Sequence, residues 1–262
     1  MTFETILFGI DNGIARLTLN RPDKLNSFNI QMHEEVREAL DQIEQYAGVR
    51  VLVLTGAGRA FCAGQDLSGR AVAPGQAVDL GDSIEKYYAP LVLRLRKLEM
   101  PVICGVNGVA AGAGANLALA CDLVVAAKSA SFIESFANLG LIPDTGGTYF
   151  LPRLIGTARA LGFALLAEKI SADQAAAWGL IWECVEDEKF SSEIEKISTR
   201  LALGPTKGLA RIKKALYRSA ENSLERQLEL EKECMRELGY SHDFREGVAA
   251  FLEKRPPQFR GK

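Results

Sequence analysis

Apolar positions along this chain recur with two different periods. Residues 5–8 and Ile14–Leu19 alternate or run apolar on either side of Asp11-Asn12-Gly13, which predicts a hairpin. From Asn29 to about Tyr46 the period becomes helical: Met32, Val36, Ala39, Leu40 and Ile43 share one face, and Asn29 can cap the start. Residues 49–54 are apolar and largely β-branched, a buried strand that Thr55-Gly56-Ala57-Gly58 ends. Residues 82–98 return to helix, with Ile84, Tyr87, Tyr88, Leu91, Leu95 and Leu98 inward. Between them, residues 68–81 are rich in Ala, Gly and Pro and have no period, which predicts a mobile loop over whatever lies beneath.

The second half continues the alternation. Val102-Ile103-Cys104 reads as a strand, and residues 115–121 as the start of a buried helix built from Ala and Leu. Residues 123–126 and Ser131–Ile133 read as further strands, and residues 140–147 as a loop leading into a helix near Tyr149. Ser171-Ala172-Asp173-Gln174 forms a capping box for a short helix ending at Gly179, and residues 181–185 read as the last strand. Everything after about Asp187 has helical period: 188–203, 205–219, 224–238 and 243–254. The pattern predicts one α/β domain with a C-terminal helical appendage.

Composition narrows what such a domain can do. A formal net charge of −2 gives no electrostatic reason to expect nucleic acid or an anionic membrane as partner. No segment has the length of a membrane span, and the N-terminus lacks a basic region followed by an apolar one. Cys62, Cys104, Cys121, Cys184 and Cys234 are odd in number, lack a CxxC pair and sit among apolar residues. They read as reduced core thiols, and a cytoplasmic setting is expected.

Several chemistries drop out. His33 and His242 are the only histidines, both in helical contexts, which argues against a histidine triad or a histidine-rich metal site. Neither a GxSxG elbow nor a GxxxxGK[ST] loop occurs, and Gly112-Ala113-Gly114-Ala115-Asn116-Leu117 lacks the third glycine of a dinucleotide fingerprint. Two small-residue turns remain, 59–67 and 105–114, each after a strand, with Asp144 in a Pro/Gly loop. Such turns serve close helix–strand packing as readily as a pocket for an anionic oxygen at a helix start. Two backbone N–H groups aimed at one point would suit a thioester carbonyl becoming an enolate, and an acid nearby would complete a proton-transfer site. Asp144 can equally be a loop aspartate, and spacing alone does not bring these parts together.

Residues 60–67 followed by 101–122 resemble the double signature of the crotonase (enoyl-CoA hydratase/isomerase) superfamily. The likeness runs from Leu19-Asn20-Arg21-Pro22 to the Glu246–Arg255 segment. It implies a crotonase-like spiral of ββα units over residues 1–200, with the CoA site. It further implies a helical trimerisation region over 201–262, within one continuous domain, and a homotrimer or dimer of trimers. It places oxyanion N–H donors at Gln65 and Ala113, with Gly112 and Pro143 beside the substrate. Ala63, Asp66 and Leu67 fall in the CoA-facing turn, and Lys24 near the CoA phosphates. Phe251 and Lys254 match a tail that reaches a neighbour's CoA. Read alone, Lys24 is a solvated lysine, and Asp66 suits a turn held by side-chain-to-backbone bonds. No cofactor is implied, CoA being part of the substrate, and no metal.

The departures select the reaction. Family hydratases use two glutamates, and the matching positions are Asn116 and Phe136, neither of which can act as a base. Glu134 is near in sequence but out of register. Family isomerases use one carboxylate after the Gly-x-x-Pro turn, where Asp144 stands. An acyl-CoA isomerase is expected, with Asp144 as sole acid/base and partly desolvated among Gly and apolar neighbours, which would raise its proton affinity. Asn116 reads either as a polar group near the acyl chain or as a core amide. A non-catalytic CoA- or RNA-binding scaffold is the contrasting reading, and the near-neutral charge argues against it.

Overall fold

A computed structural model describes residues 3–68 and 78–262. Asn12 and Gly13 both take positive φ (50° and 77°), the geometry of a tight hairpin turn, and join β1 (Ile6–Asp11) to β2 (Ile14–Leu19) antiparallel. From β2 onward the main sheet is parallel: β3 (Val51–Gly56), β5 (Val102–Val106), β7 (Leu123–Ala127) and β10 (Glu183–Val185), in the order β1-β2-β3-β5-β7-β10. A second sheet holds β4 (Ala60–Cys62), β6 (Val109–Ala111), β8 (Ser131–Ile133) and β9 (Ile170–Ser171), in the order β4-β6-β8-β9. After the opening hairpin the pairs β3/β4, β5/β6 and β7/β8 each put one strand in either sheet, the repeat of a ββα spiral. The sequence pattern places a strand at β8 but none at β4, β6 and β9, which are two or three residues long and lie in small-residue turns or at a helix cap.

Helix α1 (Ile30–Gln45) starts where expected: Asn29 Oδ1 accepts from the Met32 amide at 2.9 Å, and Met32, Val36, Ala39, Leu40 and Ile43 are buried. The helix expected over 82–98 is in two pieces, α2 (Leu80–Ser83) and α3 (Ala89–Lys97), joined by a wider turn over Ile84–Tyr88. There Ala89 N–H reaches back five residues to the Ile84 carbonyl, just before Pro90, which has no N–H to give. The loop expected over 68–81 lies for the most part, at 69–77, outside the described residues.

Helix α4 (Ala113–Leu119), every residue of it buried, packs on β4 and β6 of the second sheet. It starts two residues earlier than its Ala/Leu run suggests, since Gly112 (φ 52°) turns the chain sharply into it. A turn over Ser135–Leu139 leads to α5 (Gly147–Leu166), which breaks at Gly156, and α6 (Ala172–Trp178) follows, capped by Ser171. The outer face of the main sheet is covered by α7 (Asp187–Ala202), with Ile14, Val51, Val53, Ile103 and Ala202 packed together there.

The C-terminal layer is α8 (Thr206–Ser219), α9 (Leu224–Gly239) and α10 (His242–Glu253), each packed on the next. A buried lysine ties this layer to the core. Lys213 Nζ donates to the carbonyls of Leu95 (2.9 Å) and Met100 (3.2 Å) and pairs with Asp122 at 2.9 Å. Asp122 also accepts from the Val102 amide (2.7 Å) and from the Tyr217 hydroxyl. Leu224, Leu228 and Met235 are exposed along α9, while Leu238 is half-buried. Among the described residues all five cysteines are free and no helix is long and apolar enough to cross a membrane.

Candidate active site

The two small-residue turns meet. After β4 the chain passes Ala63-Gly64-Gln65 with Gly64 at φ +87°. A Cβ on Gly64 would lie 2.9 Å from the Ala111 carbonyl and 3.2 Å from the Ala113 nitrogen, so this turn sits directly on the start of α4. Phe28 N–H donates to the Gly64 carbonyl (2.7 Å) and Asp66 N–H to the Phe28 carbonyl (2.8 Å). In that parallel bridge the N–H of the intervening Gln65 points away from Phe28. Ala113 is the first residue of α4, where amides lack intrahelical acceptors and the helix dipole is positive. Gln65 and Ala113 therefore share one crevice. The Gln65 side chain is occupied in holding it: Nε2 donates to the Phe28 carbonyl (3.0 Å), and Oε1 accepts from the Tyr88 hydroxyl (3.0 Å). Beside Gln65 opens a cavity of about 580 Å³, lined among others by Arg21, Ile30, His33, Asp66 and Tyr87.

Asp66 works within its turn. Its carboxylate accepts from the Ser68 hydroxyl (2.6 Å) and amide (3.0 Å) and pairs with Arg21 (2.9 Å), bonds that together hold it down to about 2. Lys24 ends a short turn over Pro22–Lys24 and is exposed, as is Leu67, while Ala63 is half-buried. Ala63 N–H donates to the Leu25 carbonyl (2.9 Å), which fastens the Lys24 turn beside the Gln65 loop. The anchor is Asn26, fully buried at positive φ, with its amide on the carbonyls of Ala57 (2.9 Å) and Ala60 (2.8 Å). The sequence reading gave Asn26 no such part. Its one signal is the tolerance of asparagine for left-handed backbone.

Asp144 comes from another part of the chain. It and Pro143 are half-buried, in the loop before α5, where Thr145 and Gly146 take φ of 53° and 88°. Thr145 Oγ1 donates to Asp144 Oδ1 (2.8 Å), and the Gly147 amide donates to the Asp144 carbonyl (2.8 Å). That carbonyl also accepts from Asn116 Nδ2 (3.0 Å). Asn116 is three residues beyond Ala113 on α4 and so on the same helix face. One short buried helix thus carries the Ala113 amide at its start and the tether of the Asp144 loop one turn later.

Phe136 is buried, its ring 3.5 Å from where a Cβ on Gly112 would stand, and it forms an apolar wall. Glu134 is wholly buried, and its Oε2 accepts from Asn116 Nδ2 at 3.2 Å. Burial pushes its carboxyl up to about 8, with the Asp144 charge adding and the Asn116 bond opposing. Glu134 is therefore largely protonated near neutrality, the wrong state for a base. The one sequence cue was a lone acid closing an apolar strand. Phe251 and Lys254 stand at the end of α10, Phe251 82% exposed, on a helix that packs on α9. Within one chain nothing described brings them to the crevice.

Chemically, backbone N–H groups of this kind suit a carbonyl oxygen gaining charge, and a half-buried carboxylate suits proton transfer. The family profile described as enoyl-CoA hydratase/isomerase matches residues 9–262. Over 260 residues the chain is 55% identical to 1,2-epoxyphenylacetyl-CoA isomerase of Escherichia coli, covering 99% of both chains. It is 48% identical over 262 residues to a Rhodobacter capsulatus protein named "probable enoyl-CoA hydratase", covering 100% of each. A crystal structure of enoyl-CoA hydratase/isomerase from Cupriavidus metallidurans superposes with a TM-score of 0.92 at 30% identity, over 100% of this chain and 98% of that one.

Proposed function

The chain belongs to the enoyl-CoA hydratase/isomerase family, and from that premise we propose that it is a cofactor-independent acyl-CoA isomerase. The substrate of this reading is 1,2-epoxyphenylacetyl-CoA, converted to its ring-expanded oxepin in phenylacetate catabolism. The thioester oxygen lies between the amides of Gln65 and Ala113, and Asp144 is the acid/base over the reacting carbons. The observation that carries the reading is the tie from Asn116 to the Asp144 loop on the same face of α4 as Ala113. It ties the loop that carries Asp144 to the helix that begins at Ala113, while the two hydratase positions hold an amide and a phenyl ring. Hydration needs groups that position and deprotonate water, and neither side chain supplies one.

A general Δ3,Δ2-enoyl-CoA isomerase of fatty-acid oxidation uses the same parts, Asp144 taking a proton from C2 and returning it at C4. Incubation with the epoxide and with a 3-enoyl-CoA, with turnover compared, separates the two. Preferential turnover of the epoxide is expected. A 3-hydroxyacyl-CoA formed from a 2-enoyl-CoA at a comparable rate would overturn the isomerase reading.

CoA enters this reading along Lys24, Ala63, Asp66 and Leu67, with Gly112 and Pro143 beside the acyl group. Assembly belongs to the same proposal: a homotrimer or dimer of trimers, in the cytoplasm. Its support is the apolar side chains that a single chain leaves in water, Ile212, Leu216, Leu224, Leu228 and Met235. In such an assembly Phe251 and Lys254 reach a neighbour's CoA, and the helical tail beyond residue 200 is the assembly region.

A further inference from the structure

Directly behind Asp144 is a pair of side chains that is incomplete as heavy atoms alone. Asn116 uses both of its N–H groups, one on Glu134 Oε2 (3.2 Å) and one on the Asp144 carbonyl (3.0 Å). Asn116 Oδ1 and Glu134 Oε1 are each fully buried and without a partner. Two orphaned acceptors on one pair of groups are costly, and buried polar atoms are otherwise almost always satisfied. A single proton on Glu134 Oε1 satisfies both. The acid O–H then donates to Asn116 Oδ1 while Asn116 Nδ2 donates to Oε2, the closed two-bond pairing of a carboxylic acid with a primary amide. An ionised carboxylate, which only accepts, cannot make the second bond.

We propose that Glu134 is a positioning residue for the isomerisation, held in its protonated form, which locks the Asn116 amide so that its remaining N–H fixes the Asp144 loop over the substrate. The inference rests on the reading of Asp144 as acid/base. Gly147 makes the lock possible, because a Cβ there would collide with the Asn116 amide group. The surroundings favour the neutral form. The neighbouring elements α4, β6, β8 and the Ser135–Leu139 turn contain no ionisable side chain. The charge that acts on Glu134 is the Asp144 carboxylate, which opposes its ionisation, as burial does. A neutral Glu134 also leaves Asp144 without a second negative charge behind it, so the pair divides into one structural acid and one reacting carboxylate.

Loss of the proton opens the lock. Turnover of the wild type should fall as pH rises through about 8, when Glu134 ionises and Asn116 Oδ1 loses its donor. Glu134→Gln copies the neutral acid, since its amide N–H can donate to Asn116 Oδ1 and its carbonyl can accept from Nδ2. It is expected to keep kcat within a few-fold and to lose that alkaline fall. Glu134→Ala is expected to lower kcat about ten- to hundred-fold with KM little changed, the usual result of a small misplacement of a reacting group. Difference infrared spectroscopy of wild type against Glu134→Gln should show a protonated-carboxyl band at neutral pH, a readout independent of turnover and of Glu134→Ala folding. The proposal is overturned if that band is absent, or if Glu134→Gln is as slow as Glu134→Ala. It is also overturned if Glu134→Gln retains the wild-type alkaline fall. Asp144→Asn separates the two levels. Full activity in Asp144→Asn sinks the reading of Asp144, whereas an inactive Asp144→Asn beside an unaffected Glu134→Ala sinks the positioning role alone.

Discussion

Glu134 and Asp66 are both carboxylates, and their surroundings drive them in opposite directions. Asp66 gains two bonds from Ser68 and one from Arg21 and stays charged; Glu134 gains one bond from Asn116 and loses all contact with water. The cost of burying Glu134 has a sign that can be measured. Folded, its carboxyl keeps its proton up to about pH 8; unfolded, it releases it near the ordinary carboxylate value. Between those limits the folded state holds more protons, so stability falls as pH rises and levels off above about 8. Glu134→Gln removes that penalty. Its melting temperature should exceed the wild type's by more at about pH 9 than at about pH 5. An equal difference at both pH values would mean that Glu134 is ionised throughout.

At the scale of elements, α4 fixes the site by lying closer to β4 than most side chains allow. A Cβ on Gly114 would run into the Cys62 carbonyl, a backbone atom that cannot swing away. Gly114→Ala should therefore destabilise the protein by about 2 kcal/mol or more, as overpacking does, and thermal unfolding checks it. A variant as stable as wild type would show that α4 has room to move, and with it Ala113 and Asn116. This contact also shows what the sequence could disclose. The long helices and the main-sheet strands were legible because apolar runs or a helical period mark them, and Asn29 and Ser171 announced their caps. Of the second sheet only β8 was, since β4, β6 and β9 are two or three residues long and sit in small-residue turns or at a helix cap. The alternatives left open for Gly112–Gly114, packing or an oxygen pocket, are not exclusive, because the close packing is what places the Ala113 amide beside Gln65. The pairing of Asn116 with Glu134 was hidden for another reason: eighteen positions and two strands separate them.

For the whole molecule, the C-terminal layer is held by a buried ion pair and faces outward with apolar side chains. Lys213→Ala leaves Asp122 without its cation and should cost about 3 kcal/mol or more in a denaturant titration. An unchanged midpoint would mean that α8 is held by its apolar contacts alone. Sedimentation at micromolar concentration should give a trimer or hexamer; a stable monomer would leave Leu224, Leu228 and Met235 exposed without a reason. The central claim concerns one residue within that assembly, Asp144 as the only acid/base. It is tested most directly by measuring isomerisation of the acyl-CoA substrate and CoA binding side by side for wild type and Asp144→Asn. The substitution keeps the side chain's shape and removes the base. A loss of turnover on the order of hundred-fold or more, with CoA affinity nearly unchanged, is the expected result. Near-normal isomerisation by Asp144→Asn would contradict it.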